Sequence, residues 1–123
     1  MAQNKKNTNP TEAAEQVRLF NLRSHNIPAF SIPNGIHINN KRAAAFRRQG
    51  MTKGIPDLMI PVAKKRKHGL FIEMKRVGTS PSAVSPEQRY WLGELKRQGY
   101  NAVVAKGAEE AISVTKEYLG MED

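Results

Sequence analysis

Three residues of this chain have types and spacing that could do chemistry. Asp57 follows Pro56 at the head of the run DLMIPV, and Glu73 and Lys75 sit two apart in GLFIEMK. In an extended strand alternate side chains share a face, so Glu73 and Lys75 emerge together while Ile72 and Met74 point the other way. A carboxylate in so apolar a strand must be paired, protonated or bound to a cation, because burying it alone costs several kcal/mol. If residues 57–62 and 69–75 form an antiparallel hairpin with Val62 opposite His68, Asp57 falls opposite Glu73. Two carboxylates crowded there repel unless a divalent cation lies between them, and hard oxygen donors with open water positions suit Mg²⁺ or Mn²⁺. The lysine would then polarise an attacking water or hold a phosphate. A plainer arrangement uses the same residues: an exposed Glu73–Lys75 pair on a sheet rim, with Asp57 merely opening a strand.

Charge points to what the site would meet. The chain carries 20 Lys+Arg against 11 Asp+Glu, a net charge of +9 and a pI near 10.1, which favours a polyanionic partner. Residues 16–72 hold eleven basic side chains and one acid, Asp57, whereas the segment from Glu109 onward is acidic. Lys41, Arg42, Arg47, Arg48, Lys53 and the run Lys64, Lys65, Arg66, Lys67 are candidates for phosphate contacts. The absence of cysteine excludes thiol catalysis, disulfides and cysteine-ligated zinc. No stretch approaches the roughly 20 apolar residues that span a bilayer. The opening MAQNKKNTNP lacks an apolar core behind its lysines, so it reads as a polar tail rather than a signal peptide, and a cytoplasmic protein is expected.

The elements that must position these residues follow from periodicity. Residues 1–10 read as a disordered tail and 11–123 as one domain. TEAAEQVRLFNLRS, over 11–24, has Ala13, Val17, Phe20 and Ser24 on one helical stripe. A short strand is expected over 29–33, and a basic helix over 40–49 with Ala44 and Phe46 facing inward, closed by Gly50. Two strands then flank the loop AKKRKH. Ser85-Pro86-Glu87-Gln88 makes a capping box that starts a helix to Gln98, with Gln88, Trp91, Leu92 and Leu95 on one face. NAVVA over 101–105 is a buried strand, and a last helix over 108–119 buries Ala111, Ile112, Thr115 and Leu119. The alternation gives an α/β fold with a central mixed β-sheet flanked by helices.

The combination of G-I-P-D, a spacer of 15 residues, E-M-K, a loop and S-P-E-Q is far more specific than E-x-K alone. With the segment IPNG and the basic stretch after it, the pattern closely resembles the VRR-NUC family of stand-alone nuclease domains, often found in phage genomes, over roughly residues 12–119. The resemblance implies a PD-(D/E)xK restriction-endonuclease-like core, a divalent metal, DNA hydrolysis and, in some relatives, cutting of branched DNA such as Holliday junctions by a homodimer. Carried over residue by residue, Asp57 and Glu73 would ligate the metal together with the Met74 carbonyl, and Lys75 would be the catalytic lysine. Such nucleases also use an acid from the first helix, here Glu12 or Glu15. Relatives carry a glutamine at the position of Gln88, which the capping box alone would also explain. A rival reading is a non-catalytic DNA-binding accessory module of a helicase or recombination complex, but such a module has no need of these acids amid its cations. An RNA-binding role is weakened by the lack of an exposed aromatic motif.

Overall fold

The computed structural model describes residues 26–33 and 40–121. The helix expected over 11–24, and with it Glu12 and Glu15, lies outside the described residues, as does the IPNG turn beyond Pro33. In chain order the elements are β1 (Phe30–Ser31), α1 (Asn40–Arg48), β2 (Leu58–Ile60), β3 (Leu70–Lys75), α2 (Pro86–Arg97), β4 (Asn101–Lys106) and α3 (Ala108–Leu119), with a 3₁₀ turn at Pro81–Ala83 before α2. Among the described residues no helix is long and apolar enough to cross a membrane.

Among the described residues four strands form one sheet in the order β1-β2-β3-β4. β1 and β2 pair antiparallel, as do β2 and β3, whereas β3 and β4 run parallel. The mixture follows from the connections: a short turn can only reverse the chain, and a return through a helix permits a parallel neighbour. Leu58 pairs with Ile72, Met59 with Phe71 and Ile60 with Leu70, the register that brings Asp57 beside Glu73.

The hairpin tip is tighter than the expected five-residue loop between Val62 and His68. Lys64 and Lys67 exchange backbone hydrogen bonds of 3.1 and 2.7 Å, and Lys65 and Arg66 between them adopt φ of 51° and 63°. Two left-handed residues in a two-residue turn match the twist of a hairpin, a job usually given to Asn-Gly. β2 stops at Ile60 because Pro61 has no N–H to extend the ladder, and the His68 N–H turns instead to the Gly99 carbonyl at 2.9 Å.

Pairing gives the sheet two unlike faces. Leu58, Ile60, Leu70, Ile72, Met74 and Ala105 line one, and α3 packs on it through Ala111 and Tyr118 to make the core. Tyr118 is buried where the periodicity favoured Ile112 and Leu119, which are half-buried. Its hydroxyl reaches the Val62 carbonyl at 2.7 Å, a group left beyond the end of β2, and that polar tip escapes a count of apolar residues. Thr115 is fully buried because its hydroxyl bonds back to the Ala111 carbonyl at 2.7 Å.

The other face carries Phe71, Glu73, Lys75, Val104 and Lys106 and is covered by α2, whose Trp91, Leu92 and Leu95 are half-buried. α1 is a narrow element. Its cations Lys41, Arg42, Arg47 and Arg48 are exposed, Ala43, Ala44 and Ala45 are half-buried, and Phe46, expected inside, stays 36% exposed.

The loop from α1 to β2 is pressed onto the start of α2 at Gly54. This residue has φ 94°, and a Cβ added to it would lie 2.7 Å from the Glu87 backbone carbon. Gly93, inside α2, has nothing within 4 Å of the same added atom. Ala substitutions at the two glycines should therefore have opposite signs in urea denaturation. Gly54→Ala should cost about 1–3 kcal/mol from strain and clash, and Gly93→Ala should gain about 0.5–1 kcal/mol of helix propensity.

Candidate active site

α2 begins where its sequence says it should, and its cap reaches into the site. The Ser85 hydroxyl accepts the Gln88 N–H at 3.1 Å, and the Gln88 side-chain oxygen accepts the Ser85 N–H at 2.9 Å. The other end of the same amide, Nε2, donates to Glu73 Oε1. Gln88 thus caps the helix and bonds the Glu73 carboxylate with the two ends of one amide.

Lys75 Nζ lies 3.9 Å from the same Glu73 oxygen, with only 11% of the Lys75 side chain and 4% of the Glu73 side chain exposed. This is a buried pair, which overturns the picture of an exposed Glu73–Lys75 pair on a sheet rim. Asp57 is tied in from the neighbouring strand. Pro56 has no N–H to continue the ladder, and the Asp57 carboxylate takes the Met74 N–H at 2.8 Å in place of a backbone carbonyl. Its own carbonyl accepts the Ile32 N–H at 2.7 Å, which fixes β1 to the same residue.

Burial pushes the Asp57 carboxyl above its ordinary pKa of 3.8; a hydrogen bond with the Glu73 side chain, the Met74 N–H and the Lys75 charge pull it down without cancelling that effect. Two carboxyl groups can share a hydrogen bond only when one carries a proton. Asp57 and Glu73 are thus neighbouring carboxyl groups of which burial favours the neutral form of Asp57. Among the described residues no group of three or more His, Cys, Asp or Glu could hold a metal ion. A cation here would rest on the Asp57 and Glu73 carboxylates, a backbone carbonyl such as that of Met74, and water. That all-oxygen donor set fits Mg²⁺ or Mn²⁺ and not a structural zinc.

The basic residues divide by position. Lys53 lies 3.8 Å from Glu87 in the first turn of α2, on the site's side of the molecule. Lys64, Lys65, Arg66 and Lys67 sit at the hairpin tip, on the order of 20 Å from Glu73 at about 3.3 Å per residue along β3. Lys65 Nζ donates to the Glu117 carbonyl at 2.7 Å, placing a cation at the C-terminal end of α3. Two cations missed in the sequence, Arg89 and Lys106, line a cleft with Lys75. The parallel register that sets Lys106 beside Lys75 has no local signature in the sequence.

The VRR-NUC domain profile matches residues 16–109. The chain belongs to the VRR-NUC family. A solved structure described as "VRR_NUC domain protein" is 33% identical, with a TM-score of 0.77 over 93% of this chain and 92% of that one. No curated protein matches it. The VRR-NUC assignment makes this a nuclease-type domain, and the mixed four-stranded sheet with its helices is the corresponding α/β core.

In this VRR-NUC domain a group with a raised folded pKa contributes stability below its unfolded value that is lost as pH rises through the folded one. Asp57→Asn keeps an acceptor for the Met74 N–H and removes that loss. In EDTA the variant should melt several degrees above the wild type at pH 8 and show little difference at pH 4. A lower melting temperature at pH 8 would contradict the assignment of burial as the dominant effect.

Proposed function

We propose that this VRR-NUC domain is a Mg²⁺- or Mn²⁺-dependent endodeoxyribonuclease that hydrolyses phosphodiester bonds, preferentially in branched DNA such as Holliday junctions. The observation that carries the reading is the convergence of half-buried Asp57 with buried Glu73 and Lys75, inside a chain of net charge +9. Asp57 and Glu73 would hold the ion, with the Met74 carbonyl as the third protein donor. When bound, such an ion makes water nucleophilic at neutral pH and offsets charge developing on the phosphate.

The chain's own groups do the rest. Lys75 offers an ammonium beside Glu73, positioned to hold a phosphate oxygen or the attacking water. Gln88 keeps the Glu73 carboxylate in one orientation, so the pair is set before substrate arrives. Exposed cations such as Lys53, Arg47 and Arg48 hold the strand through its phosphates. Glu12 or Glu15 would supply a further acid. A single domain brings one site and cuts one strand, so paired cuts across a four-way junction would use a twofold homodimer in the host cytoplasm, alone or recruited by a helicase or recombination partner.

A panel of end-labelled branched and linear DNAs, incubated with Mg²⁺ and then with EDTA, tests the reading directly. Cleavage should require the ion and favour branched substrates. Asp57→Asn and Glu73→Gln should abolish it while DNA binding persists, and Lys75→Ala should lose about 10²-fold or more. Wild-type rates in the carboxylate variants would remove the site.

Gln88 offers a finer test, because a glutamate at this helix position retains the capping box. Gln88→Glu should keep the helix start yet lose about 10–100-fold in cleavage, since a third carboxylate then faces Glu73. Gln88→Ala should lose stability as well. Full activity in Gln88→Glu would reduce the residue to a cap.

A further inference from the structure

Beside Lys75, between the ends of β3 and β4 and the face of α2, lies a cleft of about 470 Å³. This is within the range of roughly 300–1,000 Å³ typical of small-ligand sites. It has two chemically distinct parts. Val84, Leu92 and Val104 give it an apolar wall, and Lys75, Arg89 and Lys106 bring three cations to it. The arrangement is built by the fold: Lys106 is the register partner of Lys75, Val104 is that of Glu73, and Arg89 and Leu92 lie three residues apart on one side of α2. Neither Arg89 nor Lys106 forms an ion pair with a described acid, so the cleft presents net positive charge next to an apolar surface.

We propose that this cleft binds one unpaired nucleotide of the strand being cut, with its phosphate on Arg89 and Lys106 and its base against Val84, Leu92 and Val104. The proposal rests on the nuclease reading and deepens it by naming the substrate feature recognised. An inorganic anion would satisfy the cations and leave the apolar wall unused, whereas a nucleotide has an anionic and an apolar part in the same order. Lys75 belongs to both the cleft and the catalytic set, so the occupant must be close to the scissile phosphate. Within continuous duplex every base is paired and stacked, and cannot turn its face to a protein wall without unstacking. At a flap an unpaired base is already available, and at a four-way junction, whose bases are all paired, a pair at the branch opens at less cost than one inside a continuous duplex. The cleft therefore selects branched over continuous DNA by a local feature of one strand, whatever the overall shape of the junction.

The test uses the whole chain in EDTA, titrated with deoxythymidine 5′-monophosphate and separately with thymidine, and followed by methyl NMR. The nucleotide should shift Val84, Leu92 and Val104 resonances, and thymidine should bind more weakly at the same place. Val84→Trp, which fills the cleft, and Arg89→Ala, at an exposed residue of its lining, should each weaken the nucleotide about tenfold. Arg89→Ala should have little effect on thymidine, which lacks the phosphate.

In a parallel cleavage assay with Mg²⁺, a flap whose nucleotide next to the branch is made abasic should be cut about tenfold more slowly than the intact flap. Nucleotide shifts confined to the Lys64–Lys67 turn, unchanged affinity in both variants, or equal cutting of abasic and intact flaps would overturn the proposal. A chain that cuts no DNA at all would defeat the proposed function instead, and the nucleotide titration would still decide whether the cleft is a binding site.

Discussion

Asp57 and Glu73 are carboxyl groups held against each other in a place where water is scarce, and much of the surrounding structure answers the cost of that contact. The Asp57 carboxylate takes the Met74 N–H where the backbone ladder ends at Pro56. Gln88 donates to Glu73 from the first turn of a helix that its other end caps. Lys75 adds one positive charge from the same strand face. Gly54 lets the loop that carries Asp57 approach the backbone of α2 more closely than any side chain would allow. A one-residue slip of β2 against β3 would send Asp57 to the opposite face and separate it from Glu73, so the pair depends on the register of a three-residue strand.

The two faces of the sheet carry different kinds of side chain. Its α3 face is closed by aliphatic side chains that are almost entirely inaccessible, and its polar groups there are satisfied locally, as at Thr115 and Tyr118. Its α2 face holds charged and half-exposed residues around the carboxylates. β3 belongs to both, alternating between core and site along six buried residues. Substitutions at Ile72 or Met74 and at Glu73 or Lys75 thus act on neighbouring residues of one strand by different physics: loss of packing in the first case, loss of charge organisation in the second.

Positive charge serves more than one purpose. Lys65 places its ammonium on a carbonyl at the end of α3, where a cation complements the helix dipole, and two residues of its turn adopt left-handed conformations to shape the hairpin tip. Lys53 pairs with Glu87 near the site, and Arg89 and Lys106 flank Lys75. Net charge alone describes attraction to a polyanion. Distance from the carboxylates separates Lys53, Arg89 and Lys106, near the candidate site, from the cations of the hairpin tip.

Local pattern in the chain was enough for the α2 cap, the span of α3, the alternation of β3 and the pairing of Asp57 with Glu73. Each depends on residues close in sequence or on a short hairpin whose length leaves few registers. The G-I-P-D, E-M-K and S-P-E-Q motifs likewise marked the family that the VRR-NUC match established. Only the tertiary structure decided that Gln88 joins helix cap and carboxylate, that Tyr118 closes the core through the Val62 carbonyl, that Phe46 stays at the surface and that Lys106 lies beside Lys75. Those contacts join segments as many as 56 residues apart, and Lys106 meets Lys75 across a parallel pair formed through a helix. Their geometry follows from how whole elements pack, which no local periodicity encodes.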